Sequence, residues 1–487
     1  MESQQSDDKL QELSWAESPN NPKNIATWRK WVMVAIVSLS SLCITYTSSI
    51  YSATYGQITV QFGVSKIAAT VGLSVFIFGM GLGPMFVAPL SEFYGRRPIY
   101  LVTYVLFTIW LIPCAVADNL ATMIAGRLLS GLASAAFQSV AGGTISDLFT
   151  YETLQLPMMV YSATAFAGPV LGPLVGGFIN YHISWRWSFY ILIIWSALLG
   201  LSCIFFMPET YAPYLQQQQQ TKHPKSPVTT VPSAKNETSM NATLLKSMYR
   251  PFLLLTLEPM CLCLCIYTSL MHGTLYLFFG AFPLVFSTTY GFNLWQIGLT
   301  FLGQLAGTLI GVSLDPLWSW NLRRLIRNYK TAHPEADPES NNKSSKPQTF
   351  PAEYRLVPAI FGAPLITTGL FWFGWSCYSD VHWIMPVIGS TFFGIGVFSA
   401  FQSILTFLVD AYPLYAASAL AANAFLRSSF AAAFPLFGVQ MYETLGYHWA
   451  TSLVAFLTVV MLPFPYIFYR CGGRIRARSR FAAASVE

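Results

Sequence analysis

Charge is what this sequence has least of. Asp, Glu, Lys and Arg together make up 10% of its 487 residues, whereas a soluble chain of ordinary composition carries roughly 25%. That shortage excludes a chain that covers its own surface with hydrated groups. Catalytic constellations are missing as well. The six histidines are scattered, with no spacing that would gather them around zinc. No Gly-x-x-x-x-Gly-Lys-Ser/Thr loop is present to cradle a nucleotide phosphate, which argues against ATP-driven work. Cys43, Cys114, Cys203, Cys261, Cys263, Cys265 and Cys377 lie in apolar runs and Cys471 beside a basic tail. That is the placement of small buried hydrophobes rather than of a disulfide framework. The first thirty residues lack the apolar core and cleavage site of a secretory signal. The net charge of +6 sits in short clusters flanking apolar runs and is no nucleic-acid footprint. Enzyme activity, cofactor, metal, ATP and nucleic acid are therefore not expected.

Apolar side chains are what the sequence has in excess: 54% of residues are hydrophobic and the mean hydropathy is +0.48. They fall in twelve runs, at about 31–51, 67–90, 98–117, 121–146, 156–180, 187–207, 253–286, 296–315, 356–377, 383–409, 415–441 and 448–469. Each is close to or beyond the ~20 residues a helix needs to cross a bilayer. An even number of crossings puts both termini on one side. With the N-terminus inside, only Lys66 and Arg186 fall in outer loops and Arg127 and Arg427 within helices, leaving 23 of the 27 basic residues in the cytoplasm. That asymmetry predicts cytoplasmic termini.

The chain divides accordingly. Residues 1–30 form a cytoplasmic N-terminal tail, 31–208 a first six-helix half and 251–469 a second. Residues 209–250, with a glutamine run at 216–220, read as a disordered cytoplasmic linker. Residues 320–355 are a cytoplasmic insert in the second half and 470–487 a cytoplasmic C-terminal tail. Glycosylation sequons at Asn236, Asn241 and Asn342 fall on the cytoplasmic side and are expected to stay unused. A repeat supports two parallel halves. Ala136-Phe137-Gln138-Ser139-Val140 in the fourth run recurs as Ala400-Phe401-Gln402-Ser403-Ile404 in the tenth, followed by Asp147 and Asp410 respectively.

Three stretches carry mechanism. Pro89-Leu90-Ser91-Glu92-Phe93-Tyr94-Gly95-Arg96-Arg97-Pro98 places a glycine turn, one acid and two arginines between the second and third runs. Such charges can pair across helices, Asp147 included; plain positive-inside anchoring explains the arginines but neither Glu92 nor Gly95. Arg127 stands inside an apolar helix, at a cost of about 2.5–3.5 kcal/mol on insertion scales. It shares a stripe with Gly131, Ser134 and Gln138. A coupling group, a structural ion pair and a snorkelling arginine all fit it. In the fifth run Gly168, Gly172 and Gly176 share one face, interleaved with Pro169 and Pro173 and followed by Gly177. That pattern suits close helix approach and a bent helix.

The first of these stretches resembles the loop signature Gly-x-Leu-Ala-Asp-x-x-Gly-Arg-Arg of the major facilitator superfamily, with Ala88 where the family has its first glycine and Glu92 for its aspartate. The family also has an arginine on its fourth helix, linked to proton coupling. The glycine–proline ladder is similar to the Gly-x-x-x-Gly-Pro-x-x-Gly-Gly motif of drug:proton exporters. Asn21-Pro22-Lys23-Asn24, Ser184-Trp185-Arg186-Trp187, Pro208-Glu209-Thr210-Tyr211, Glu353-Tyr354-Arg355-Leu356 and Ala419-Leu420-Ala421-Ala422-Asn423 resemble the fungal twelve-span drug:proton antiporters.

The resemblance implies an all-α membrane protein of 6+6 helices around a central cavity. It implies a monomeric, proton-coupled plasma-membrane efflux pump for a small amphipathic organic compound, a secondary metabolite, toxin or xenobiotic. Glu92, Gly95, Arg96, Arg97, Arg127 and Asp147 would gate and couple. Tyr46, Ser49, Gln138, Glu258, His272, Tyr276 and Gln402 are candidate cavity residues. For His272 a satisfied buried histidine fits equally, and Glu258 stands near a helix end. Polyamine export is an alternative that needs acidic cavity residues, of which Glu258 is the one candidate. A non-transporting membrane sensor is a third reading, disfavoured by a short tail.

Overall fold

Inside hydrocarbon every backbone N–H and C=O must be satisfied within the protein, which a helix does alone. In the computed structural model the described residues include twelve helices long and apolar enough to cross a bilayer: α1 Thr27–Phe62, α2 Lys66–Tyr94, α3 Arg96–Ala115, α4 Leu120–Leu148, α5 Gln155–His182, α6 Arg186–Phe206, α7 Pro259–Tyr290, α8 Leu294–Ala332, α9 Ala352–Trp375, α10 Ile384–Ala411, α11 Ala416–Leu445 and α12 Tyr447–Arg476. The structure describes residue 18 and residues 21–150, 153–222, 240–332, 350–477 and 479–483. The start of α1 and the end of α12 lie on one side, called here the terminal face.

Turn chemistry repeats between the halves. α1 ends at Gly63 (φ 64°) and α7 at Gly291 (φ 67°), left-handed positions that favour glycine. Two residues later Ser65 caps α2 by accepting from Ala68 N, 3.2 Å, and Asn293 caps α8 in a reciprocal pair with Gln296. The outer helices carry bare apolar stripes: Val102, Val105, Ile109 and Ile112 on α3, and Ile191, Ile194, Leu198 and Leu201 on α6, are exposed. Patches of this extent would be a liability in water and are what lipid requires. α1 and α7 are the most enclosed spans.

Several boundaries differ from the sequence reading. α1 continues to Phe62 through a tight 3-10 turn at Tyr51–Thr54. The linker expected to be disordered is bordered by helices, Ala212–Lys222 and Met240–Leu257, because its ends are rich in Leu and Gln, good helix formers. Its middle, with Asn236, lies outside the described residues, as does Asn342. The insert at 320–355 begins as a continuation of α8 to Ala332, with Arg323, Arg324, Arg327 and Lys330 on its polar side. α12 runs on to Arg476, past the predicted boundary at 469. The seventh run, expected from 253, is broken at Glu258 by Pro259. The two copies of the repeat also differ. Residues 136–140 sit where α4 is interrupted at Ala135 and Val140, while 400–404 lie in an unbroken α10.

Candidate functional site

Charges left over at helix ends find each other on the terminal face. Arg96, the first residue of α3, pairs through Nε with Asp147 Oδ2 in the last turn of α4, 2.6 Å. In the second half Arg355, in the first turn of α9, pairs with Asp410 in the last turn of α10, 2.8 Å. The predicted bond from this loop to Asp147 is thus present, and it is duplicated. The acid that organises the loop is a different one from that expected. Glu92 is exposed and makes no hydrogen bond or ion pair among the described residues. Glu209, beyond α6, accepts the backbone N–H of Arg96 (2.9 Å) and of Arg97 (3.1 Å). Its Oε1 also accepts from Thr210 N and Tyr211 N, both 2.9 Å. It therefore caps α3 from the loop that follows α6, an anion on a helix N-terminus. Gly95 is required twice over: its φ is 87°, and a Cβ there would strike the Glu209 carboxylate. Arg97 reaches Ile204 O, 3.1 Å. Arg96 also lies over the Tyr211 ring at 5.0 Å. Burial and the charge of nearby Glu92 push the Tyr211 hydroxyl pKa up.

Arg127 is fully enclosed; among the described residues it has no ion-pair partner, and it does not snorkel. Nε donates to Gly72 O (3.1 Å), and the two terminal nitrogens to Thr47 O (2.8 Å) and Ser48 O (3.2 Å). The rings of Phe76 and Tyr51 lie 4.3 and 4.7 Å from its Cζ. The guanidinium thus ties α4 to α1 and α2 through carbonyl oxygens. Ser130 and Ser134 turn back onto their own helix carbonyls. Gln138 donates to Ser41 Oγ on α1, 3.2 Å.

The glycine ladder of α5 is a contact surface. A Cβ on Gly168 would strike Thr45 Oγ1 and stand 2.9 Å from Tyr46 N; on Gly172 it would strike Ser49 Oγ and stand 2.6 Å from Ile50 N; on Gly176 it would meet Ile50 and Ala53. Gly177 points the other way, where a Cβ would stand 2.8 Å from Leu294 O of α8, and a Cβ on Gly298 of α8 would stand equally near Pro173 O. Pro169 and Pro173 leave α5 a single helix. One helix therefore packs without intervening side chains on both halves.

Of the candidate cavity residues, three meet at the centre. His272 on α7 packs against Tyr276 and stacks on Phe401 of α10, whose neighbour Gln402 accepts from Ser162 Oγ of α5, 3.2 Å. Ser162 and Gln402 remain half-buried. The others are elsewhere. Tyr46 packs edge-on against Trp195 of α6, 5.4 Å between ring centres. Ser49 is sealed between α1 and α5, donating to Gly168 O, 3.3 Å. Glu258 is buried at the terminal face, accepting from Ser479 Oγ (2.7 Å) and Tyr412 OH (3.3 Å). Burial pushes the Tyr412 hydroxyl pKa up and keeps it a donor. Helical periodicity does not reveal which helices cover these residues. α5, α7, α10 and α11 meet in this cluster through Ser162, His272, Phe401 and Arg427, and α1 contributes Ser48, bonded to Tyr276, rather than Tyr46 or Ser49.

Twelve spans in two half-repeats with matching arginine–aspartate corners match a known family. The family model described as "Major Facilitator Superfamily" fits residues 37–435. The chain belongs to the Major Facilitator Superfamily. Among its relatives, "Efflux pump atB" of Aspergillus terreus is 49% identical over 471 residues, 96% of this chain and 89% of the relative. The "Probable drug/proton antiporter YHK8" of Saccharomyces cerevisiae is 36% identical over 484 residues, 97% of this chain and 90% of the relative. The solved structure of the xylose transporter XylE from E. coli, in a partially occluded inward-open conformation, superposes with a TM-score of 0.59 at 14% identity, covering 91% of this chain and 98% of that one. That likeness shows the Major Facilitator fold alone.

Two residues of this Major Facilitator protein escaped the sequence reading. Glu209 stood inside a quoted motif but carried no assigned role. Arg427 of α11 was counted as an intramembrane arginine and then passed over, although the cost that singled out Arg127 applies to it equally. Its Cζ stands 4.9 Å over the Phe401 ring. Its Nε has no hydrogen-bond partner.

Proposed function

We propose that the protein is a proton-coupled efflux pump, an antiporter that exports a small amphipathic organic compound without ATP. It acts as a single chain in the plasma membrane with both termini cytoplasmic. The observation that carries this reading is α5: its glycines seat it on α1 of its own half and on α8 of the other, and relatives spanning nearly the whole chain are named as an efflux pump and a drug/proton antiporter. A helix in bare backbone contact with both halves is where one half can rock against the other. Arg96–Asp147 and Arg355–Asp410 act as the paired latches of the terminal face, and Arg127 holds the first half rigid as it moves.

The polyamine alternative finds no support. Among the described residues Glu92, Asp147, Glu353, Asp410 and Glu443 stand within three residues of a span's end, Asp315 inside α8 accepts from Gln155 at the start of α5, Glu258 lies at the terminal face, and none of them touches His272, Phe401 or Arg427 of the central cluster. Cargo identity within the secondary-metabolite, toxin and xenobiotic range is set by that cluster. Everted membrane vesicles from cells expressing the full chain test the function. An acid-inside pH gradient should drive accumulation of an amphipathic fluorophore, and a protonophore should abolish it. Accumulation that survives the protonophore, or that needs ATP hydrolysis to proceed, overturns the reading.

A further inference from the structure

The centre of the molecule holds a positive charge with no counterion among the described residues. Arg127 spends its donors on Gly72, Thr47 and Ser48 carbonyls. Arg427 does not. It makes no hydrogen bond or ion pair among the described residues, and its buried Nε is unpartnered. The groups within its electrostatic reach are Tyr161 of α5 and His272 and Tyr276 of α7, none an anion. A second orphan lies beside it: His272, 8% exposed, has an Nδ1 with no partner. Both face one aromatic platform. Arg427 stands over Phe401 at 4.9 Å, His272 stacks on it with 6.3 Å between ring centres, and Phe166 closes it edge-on at 4.9 Å. Buried polar atoms in a membrane protein are ordinarily satisfied, and an intramembrane arginine ordinarily has a partner. Here two donors or acceptors converge without one, on Arg427 and His272, with Arg427, Gln402 and Ser162 only half-buried.

We propose that the cargo carries an acidic group, a carboxylate or ionised enol, which docks on Arg427 with the attached ring against Phe401. Arg427 stays charged at any physiological pH, and its planar fork matches a carboxylate. His272 supplies a hydrogen bond to the same group or to a polar atom beside it. The cargo thus completes the site: the counterion missing from the helices arrives with it. The proposal rests on the reading of the protein as a transporter of organic compounds and narrows that cargo to anions.

Three fluorophores that share one ring system and differ in charge test it: dansylglycine (anionic), dansylglycinamide (neutral) and dansylcadaverine (cationic). Binding is read by fluorescence titration of the full chain purified in detergent in low-chloride buffer. A charge-assisted hydrogen bond predicts that dansylglycine binds about ten- to a hundredfold more tightly than its amide. Arg427→Gln should bring the ratio near one, and Arg427→Lys should leave an intermediate preference. Equal binding of acid and amide, preference for the cation, or no binding of the anion overturns the proposal on the wild-type protein alone, whatever the variants do. A pH-driven flux of all three probes without charge preference would leave the pump reading standing while removing this one; binding of the acid without flux would do the reverse.

Discussion

The hydroxyls of Ser48 and Tyr276 lie 2.7 Å apart, and their hydrogen bond joins α1 of the first half to α7 of the second. The same Ser48 gives its carbonyl to Arg127. A buried cation of one half is therefore two bonds away from the central cluster of the other. Arg127 is not part of that cluster, yet it is tied to Tyr276 through Ser48.

Replacing Arg127 separates its two tasks. Arg127→Ala removes three donors to carbonyls and should lower stability by about 2–4 kcal/mol, taking hydrogen bonds from a charged group at about 1.5–3 kcal/mol each and allowing for the burial cost removed with the charge. Arg127→Lys keeps the charge without the fork and should recover only part of the stability and the efflux. Thermal unfolding in detergent and vesicle efflux check this together. An Arg127→Ala protein with full stability and full efflux would contradict the clamp.

The two corner ion pairs should not be equal. Arg96 and Asp147 side chains are 11% and 18% exposed, Arg355 and Asp410 23% and 30%. Water screens the second pair more, so Asp147→Asn should cost about 2 kcal/mol and Asp410→Asn about 1 or less. Chemical denaturation of the two variants decides the order, and the reverse order counts against burial as its cause.

On the fifth helix, Gly172→Ala places a methyl against Ser49 Oγ and the backbone of Ile50. Overpacking of this kind costs about 1–3 kcal/mol. Efflux should fall several-fold, and Ser49→Ala in the same protein should restore part of it by removing the struck oxygen. Gly142→Ala on α4, where a Cβ meets only the end of Met158 at 3.7 Å, should be silent in the same assay.

The segment after α12 is bolted to the terminal face. Arg476 makes a two-pronged contact with Glu353 at 2.8–2.9 Å, and Ser479 donates to Glu258. Glu353→Gln should speed tryptic cleavage at Arg476 and Arg478, read by mass spectrometry of timed digests. Unchanged cleavage would show that Glu353 does not hold the tail.

Cysteine accessibility checks sidedness. Cys471 is exposed at the end of α12, whereas Cys377, between α9 and α10, is buried and its thiol pKa is pushed up to about 12. A membrane-impermeant maleimide at neutral pH should leave intact cells unlabelled and mark Cys471 once they are permeabilised. Labelling of Cys471 in intact cells would place the termini outside.

The sequence was most readable where lipid imposes the rule. Apolar length marks a span whatever its neighbours, so each of the twelve runs has its helix. Charges at helix ends were nearly as legible, since Arg96 and Asp147 have few ways to be satisfied there. Interior contacts were not. Tyr46 and Ser49 share faces that periodicity identifies, but only packing decides that one meets Trp195 and the other Gly168. The stop at Glu258 ends the stripe on which that residue was placed. Arg427 carried a signal in its cost alone, and its lack of an acidic neighbour is visible only in three dimensions.

The seam between the halves has one more consequence. Where Gly177 meets Leu294 and Gly298 meets Pro173, main chain rests on main chain. Such a surface has no rotamers to reset as it slides, so each position along it costs nearly the same and none becomes a trap. The same smoothness leaves no cushion. Every methyl added there is a stop, and the track tolerates change only when both rails change together.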